Sequence, residues 1–158
     1  MAKYGAFKYG SEVKYWGFYC ISDRTLSDVS YAKSNQSNAG YNKGALNLAY
    51  DLNRIESNCS YLASQLNYFG YSVSITTKTD WVETDFPFLA EINRVRNNID
   101  TLLDIFYRMP DSPEIRYVNT LDWQDANSLE QNLLNMYSLL QRMVAVFLRC
   151  GDAYGGDI

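Results

Sequence analysis

The sequence predicts a mainly α-helical protein in which three long helices pack as a bundle. Three stretches carry apolar residues at alternating steps of four and three, a spacing that keeps one face of a helix apolar over its whole length. The stripes span Leu48–Phe69, Phe88–Phe106 and Ala126–Phe147. With 158 residues, the chain is long enough to bury the core of one domain.

The composition argues against catalysis and against nucleic-acid binding. The chain has no histidine, the commonest general base and a frequent metal ligand. Its net charge of −4 provides no basic field for a phosphate backbone. Its three cysteines lie far apart, so a thiolate metal site is not expected. We therefore expect no enzyme activity, no catalytic residues, no metal and no cofactor.

Membrane insertion is not expected either. No apolar run reaches the ~20 residues that a bilayer-spanning helix needs. The sequence begins without the apolar core of a signal peptide, so we expect synthesis in the cytoplasm.

Residues 1–22 read as a separate N-terminal arm. A short motif of lysine, aromatic residue and glycine recurs in it, and aliphatic residues are few. Such a segment buries too little surface to fold alone, so we expect it to dock on a partner through aromatic anchors. Two alternatives are a disordered tail and a strand packed on its own domain. The predicted docking residues are Tyr4, Phe7, Tyr9, Tyr15, Trp16, Phe18 and Tyr19.

Residues 23–158 are predicted to form a single helical domain. It opens with a short helix at residues 25–38. The first long helix covers about residues 46–69 and ends at Gly70, a residue type favoured just after a helix. Alternation of apolar and polar residues at 71–76 then predicts an extended segment or a strand of a short β-ribbon.

The other two long helices have recognisable ends. Asp85 is the predicted N-cap of the second, with Pro87 in its first turn, and Pro110 ends it after Met109. The third is predicted to run from about residue 120 to residues 150–151. Because the connections are short, we expect an antiparallel bundle.

The third helix is apolar on more than one side. A helix of this kind lies either at the centre of its own bundle or in the core of an oligomer. Only two other long helices are available to cover it, so we favour a homo-oligomer. The predicted oligomer face consists of Leu134, Val144 and Leu148.

Two groups of side chains are candidates for a binding site. Asp80, Glu83 and Asp85 could pair for glycoside hydrolysis or bind Ca²⁺, although a polar loop with a helix cap is the better interpretation. Trp81 and Trp123 each precede or open a long helix. They could pack together at one end of the bundle, or form a platform on which a glycan stacks.

Short strings along nearly the whole chain resemble a family of minor structural proteins from the tail-gene clusters of phages and prophages of Gram-positive bacteria. The matching strings lie at residues 7–10, 22–29, 41–42, 51–56, 77–87, 126–130 and 151–156. The most specific are Asp51-Leu52-Asn53-Arg54-Ile55-Glu56 and Thr77-Lys78-Thr79-Asp80-Trp81.

The resemblance implies a non-enzymatic virion protein. The expected position is a tail tip, a baseplate or a fibre attachment, in a phage or a phage-tail-like particle. The implied partners are other tail or baseplate proteins, and a tail axis favours a homotrimer. The alternative function is a module that binds host cell-surface glycan.

Overall fold

A computed structural model describes the backbone of residues 18–28 and 48–154 and the side chains of residues 18–28 and 49–147. It contains three long helices, named here α1 (Leu48–Tyr68), α2 (Leu89–Ile105) and α3 (Trp123–Tyr154). The predicted mainly α-helical bundle is confirmed. Residues 26–28 are helical, and the remainder of the predicted short helix lies outside the described residues.

The apolar stripes of the sequence form the core where the three helices meet. Each helix buries residues three and four positions apart, which is why amphipathic sequences fold into this arrangement. The buried residues include Leu52, Ile55, Cys59, Leu62 and Leu66 of α1, Ile92, Val95, Ile99, Leu102 and Leu103 of α2, and Leu129, Leu133, Met136 and Leu140 of α3.

The three helices run parallel, so the predicted antiparallel arrangement is wrong. Between α1 and α3, Arg54 binds Glu130, and the rings of Tyr61 and Tyr137, each seven residues further along, lie 6.2 Å apart. The α1–α2 pair is ordered in the same way. Glu56 binds Arg94 near the start of both helices, while the rings of Tyr71 and Phe106 meet just beyond both ends, 5.6 Å apart.

Extended connections make the parallel arrangement possible. Val73 lies beside Asn67, and Lys78 lies beside Glu56. The five steps from 73 to 78 at ~3.3 Å each, and the eleven helical steps from 67 to 56 at ~1.5 Å each, both cover about 16 Å. The extended segment predicted after Gly70 is therefore present, and it returns the chain to the starting end. No β-ribbon forms within the described residues.

The end of α1 matches its prediction and the start of α2 does not. Gly70 adopts φ 90°, and the amides of Gly70 and Tyr71 donate to the carbonyls of Asn67 and Leu66, which is a Schellman motif. The N-cap of α2 is Phe88, whose amide donates to Glu91. Asp85 instead closes a turn by accepting from the amide of Val82.

Helix α3 begins with a pair of reciprocal capping hydrogen bonds and is longer than both neighbouring helices. The amides of Asp122 and Asp125 each donate to the other's carboxylate. With 32 residues against 21 in α1, α3 is about 48 Å long and α1 about 31 Å. Since all three start at one end of the bundle, the last turns of α3 extend past α1 and α2.

Candidate functional site: interaction surfaces around a polar interior

Four helix asparagines hold the extended segments in place. Each accepts from the N–H and donates to the C=O of one and the same residue, an arrangement called here an asparagine clamp. Asn53 holds Trp81 with two contacts of 2.8 Å, and Asn67 holds Val73 at 2.8 and 3.0 Å. The other two clamps are Asn58 on Tyr19 and Asn127 on Arg24.

The clamps form the backbone hydrogen bonds that a neighbouring β-strand would otherwise provide. An extended segment has no internal hydrogen bonds, and a backbone group that is buried without a partner costs free energy. Further polar side chains serve the same backbone. Arg96 donates to the carbonyls of Val118 and Thr120, and Asn132 donates to that of Pro113. The only sequence signal for these roles is asparagine in helix interiors, where its helix propensity is low.

A buried ionic cluster joins the N-terminal segment to α1 and α3. Glu130 accepts from Arg24, from Arg54 and from the amide of Ile21. Arg24 also donates to Asp51 at 2.9 Å, and Arg54 binds Asp51 as well. Burial raises the pKa of Glu130, and the two nearby guanidinium groups oppose that shift. Two carboxylates therefore pair with two guanidinium groups in the interior, toward the end of the bundle where the helices start.

Trp81 belongs to the interior, so the predicted glycan platform does not form around it. The side chain is 5% exposed, and its indole N–H donates to Glu56 at 2.9 Å. The Lys78 ammonium lies 3.8 Å from its ring centroid, so a sugar has no open ring face there. Trp123 is half-buried at the start of α3.

The three carboxylates that were candidates for a binding site do not form a common site. Asp80 and Glu83 are exposed, while Asp85 is bound to the Val82 amide and to Lys78. These two contacts lower the pKa of Asp85. Across the described part of the chain, no three acidic or cysteine side chains converge in the way a metal site requires.

The predicted docking residues divide into two groups. Phe18 and Tyr19 pack against the bundle. The ring of Phe18 stacks on Tyr137 with a centroid distance of 4.4 Å and an interplanar angle of 3°. Within the described residues, the arm therefore packs on the bundle from Phe18 onward. Tyr4, Phe7, Tyr9, Tyr15 and Trp16 lie outside the described residues.

The predicted oligomer face is only partly open. Leu134 and Val144 are half-buried, and the side chain of Leu148 lies outside the described residues. The more exposed apolar residues of α3 are Val146 and Phe147, in the turns that extend beyond α1.

A second apolar surface lies at the end of the bundle where the helices start. Its members, named here the basal patch, are Val82, Phe86, Phe88 and Leu89, and all four are exposed. Phe86 is 86% and Phe88 is 75% exposed. A cavity of about 190 Å³ adjoins them, lined by Pro87, Leu89, Ile92 and residues 119–121. Sequence reasoning assigned Phe88 to a buried stripe and overlooked this patch.

The fold and these surfaces define a parallel three-helix bundle whose extended segments are fastened by side chains. No described helix is long and apolar enough to cross a membrane. Comparisons with family models, with curated proteins and with solved structures found no match.

Proposed function

We propose that the chain is a non-enzymatic structural protein of a phage tail, or of a phage-tail-like particle, in which it joins other tail or baseplate proteins. The proposal starts from the sequence resemblance. The expected homotrimer and the location in the virion remain predictions.

The basal patch is the observation that supports this proposal most directly. Isolated exposed apolar residues are ordinary, but several large ones close together in the chain are typical of an interaction site. Phe86 and Phe88 flank Pro87 and are largely exposed. Aromatic side chains of this kind are frequent anchors at protein interfaces.

The polar interior is consistent with an architectural role. The buried acids Asp51, Glu56, Asp125 and Glu130 all bind arginine side chains. These contacts fasten one part of the chain to another, which suits a rigid assembly component. The alternative of a glycan-binding module required an open Trp81 ring. Because that ring is buried, we do not propose the module.

Particles purified from the bacterium that encodes this chain provide the test. We expect mass spectrometry to detect the protein in them, and immunogold labelling to locate it on tails. A Phe86→Ser/Phe88→Ser variant should keep its melting temperature but fall at least about tenfold in particles, since truncating interface anchors costs more than ~1.4 kcal/mol.

The matched control is Tyr68→Ser, which removes an exposed aromatic ring at the other end of the bundle. It should enter particles as the unsubstituted protein does. Absence of the unsubstituted protein from purified particles would overturn the proposal.

A further inference from the structure

The sequence around the basal patch is rich in acidic residues. Residues 79–93 contain Asp80, Glu83, Asp85 and Glu91 and no lysine or arginine. Lys78 pairs with Asp85. Asp80 and Glu83 are exposed, and neither forms an ion pair in the described part of the chain. A partner that covers this patch therefore needs positive charge together with apolar or aromatic anchors.

Residues 1–17 of this chain have that composition. They contain Lys3, Lys8 and Lys14 and only one acid, Glu12, in a protein whose net charge is −4. They also contain five aromatic residues, listed here in order: Tyr4, Phe7, Tyr9, Tyr15 and Trp16. The cavity of about 190 Å³ beside the patch provides a recess for one such ring, since a cavity of roughly 150 Å³ accommodates benzene.

The course of residues 18–24 shows where the described chain begins relative to the basal patch. Phe18 lies beside Tyr61 and Tyr137, whereas Arg24 lies beside Asp51 and Asn127, nearer the helix starts. Residues 18–24 thus run toward the helix starts. Phe18, at which the described chain begins, therefore lies farther from the basal patch of its own bundle than Arg24 does.

We propose that residues 1–17 of one copy bind the basal patch of a second copy, so that the protein assembles head to tail. Lysines of the segment face Asp80 and Glu83, and its aromatic residues contact Phe86 and Phe88. At ~3.3 Å per residue, 17 extended residues reach about 56 Å, enough to cross to a stacked neighbour. A head-to-tail contact of this kind closes into a ring or continues as a filament.

This inference rests on the proposed structural role, but it is tested with purified protein and without particles. Sedimentation velocity should show the unsubstituted chain as oligomers, either of one fixed size if the contact closes into a ring or growing with concentration if it continues as a filament. Lys3→Glu/Lys8→Glu, the segment variant, and Phe86→Ser/Phe88→Ser, the patch variant, should each sediment as monomers. An equimolar mixture should form a one-to-one heterodimer that grows no further, because only one intact segment and one intact patch are present.

A control variant and a second patch variant test whether the effect is specific. Glu114→Lys reverses an exposed charge away from the patch and should leave assembly unchanged. Val82→Ser supplies a second patch variant, and it should also weaken assembly. Raising the salt concentration should weaken assembly of the unsubstituted chain, since exposed charge pairs are screened.

Three outcomes would overturn the proposal: a monomeric unsubstituted chain, unimpaired assembly of the patch variants, or no heterodimer in the mixture. None of them bears on whether the protein is found in particles. Conversely, the purified protein could form head-to-tail oligomers and yet be absent from particles. That result would support the head-to-tail contact and overturn the proposed role in the virion.

Discussion

Asn53 on α1 holds both backbone polar groups of Trp81, 28 positions later in the chain, with two hydrogen bonds of 2.8 Å. The contact fixes the point where the extended return segment reaches the start of the bundle. The Trp81 indole is fixed by Glu56 one turn away. Backbone and side chain of one residue are thus both anchored to the same helix.

The asparagine clamp should contribute measurably to stability. Asn53→Ala leaves an amide and a carbonyl of Trp81 without partners, and we expect a loss of about 1–3 kcal/mol. Chemical denaturation measures the loss, and hydrogen exchange of the Trp81 amide should accelerate. The control is Asn135→Ala, which removes only a contact with Gln131 on the same helix and should cost less than about 0.5 kcal/mol. Equal effects of the two substitutions would contradict the clamp.

The buried ionic cluster should be far more sensitive than a surface ion pair. Glu130→Gln leaves Arg24 and Arg54 without their shared carboxylate, and removing one partner of a buried pair costs about 3–5 kcal/mol. Asp104→Asn breaks an exposed pair with Arg108, for which about 0–1 kcal/mol is usual. Urea denaturation curves of both variants check the difference. A Glu130→Gln protein as stable as the unsubstituted one would show that the cluster contributes nothing net.

Two cysteines should resist thiol reagents in the folded protein. Burial raises the pKa of the Cys20 and Cys59 thiols, which suppresses the reactive thiolate. In a Cys150→Ser background, we expect the buried Cys59 to react only as fast as the protein unfolds, and the half-buried Cys20 to react more slowly than an exposed thiol. Ser57→Cys, on the exposed side of α1, serves as the reactive control. Rapid labelling of Cys59 in the native background protein would contradict its burial.

The turn before α2 should contribute to stability in a pH-dependent way. The Val82 amide and Lys78 lower the pKa of Asp85 below its ordinary value. A carboxyl whose pKa is lowered on folding stabilises the native state above its unfolded-state pKa, and that contribution disappears as the pH falls through the folded-state value. Asp85→Asn should therefore destabilise at pH 7 and approach the unsubstituted protein near pH 2. Melting curves across this range test it, and a difference that grows toward low pH would have the wrong sign.

The ends of α1 and α2 show which structural features a local sequence signal can predict. Gly70 was predictable as the residue that terminates α1, because its positive φ is a local property. The start of α2 was misassigned to Asp85, since an aspartate before a proline also suits the turn that it forms here. The surface at Phe86 and Phe88 was missed because a periodic pattern does not reveal where a bundle ends.

The sequence by itself determined the class of the protein and the faces of its helices. Residues such as Leu62 and Leu133 are buried where the apolar stripes placed them, because periodicity at three and four residues follows from helix geometry. Only the tertiary structure decided that the helices run parallel, that Trp81 is buried while Phe18 packs against the bundle, and that asparagines fasten the extended segments. Most of these features depend on contacts between residues far apart in the chain, such as Asn53 with Trp81 and Phe18 with Tyr137, and no local pattern records such pairs.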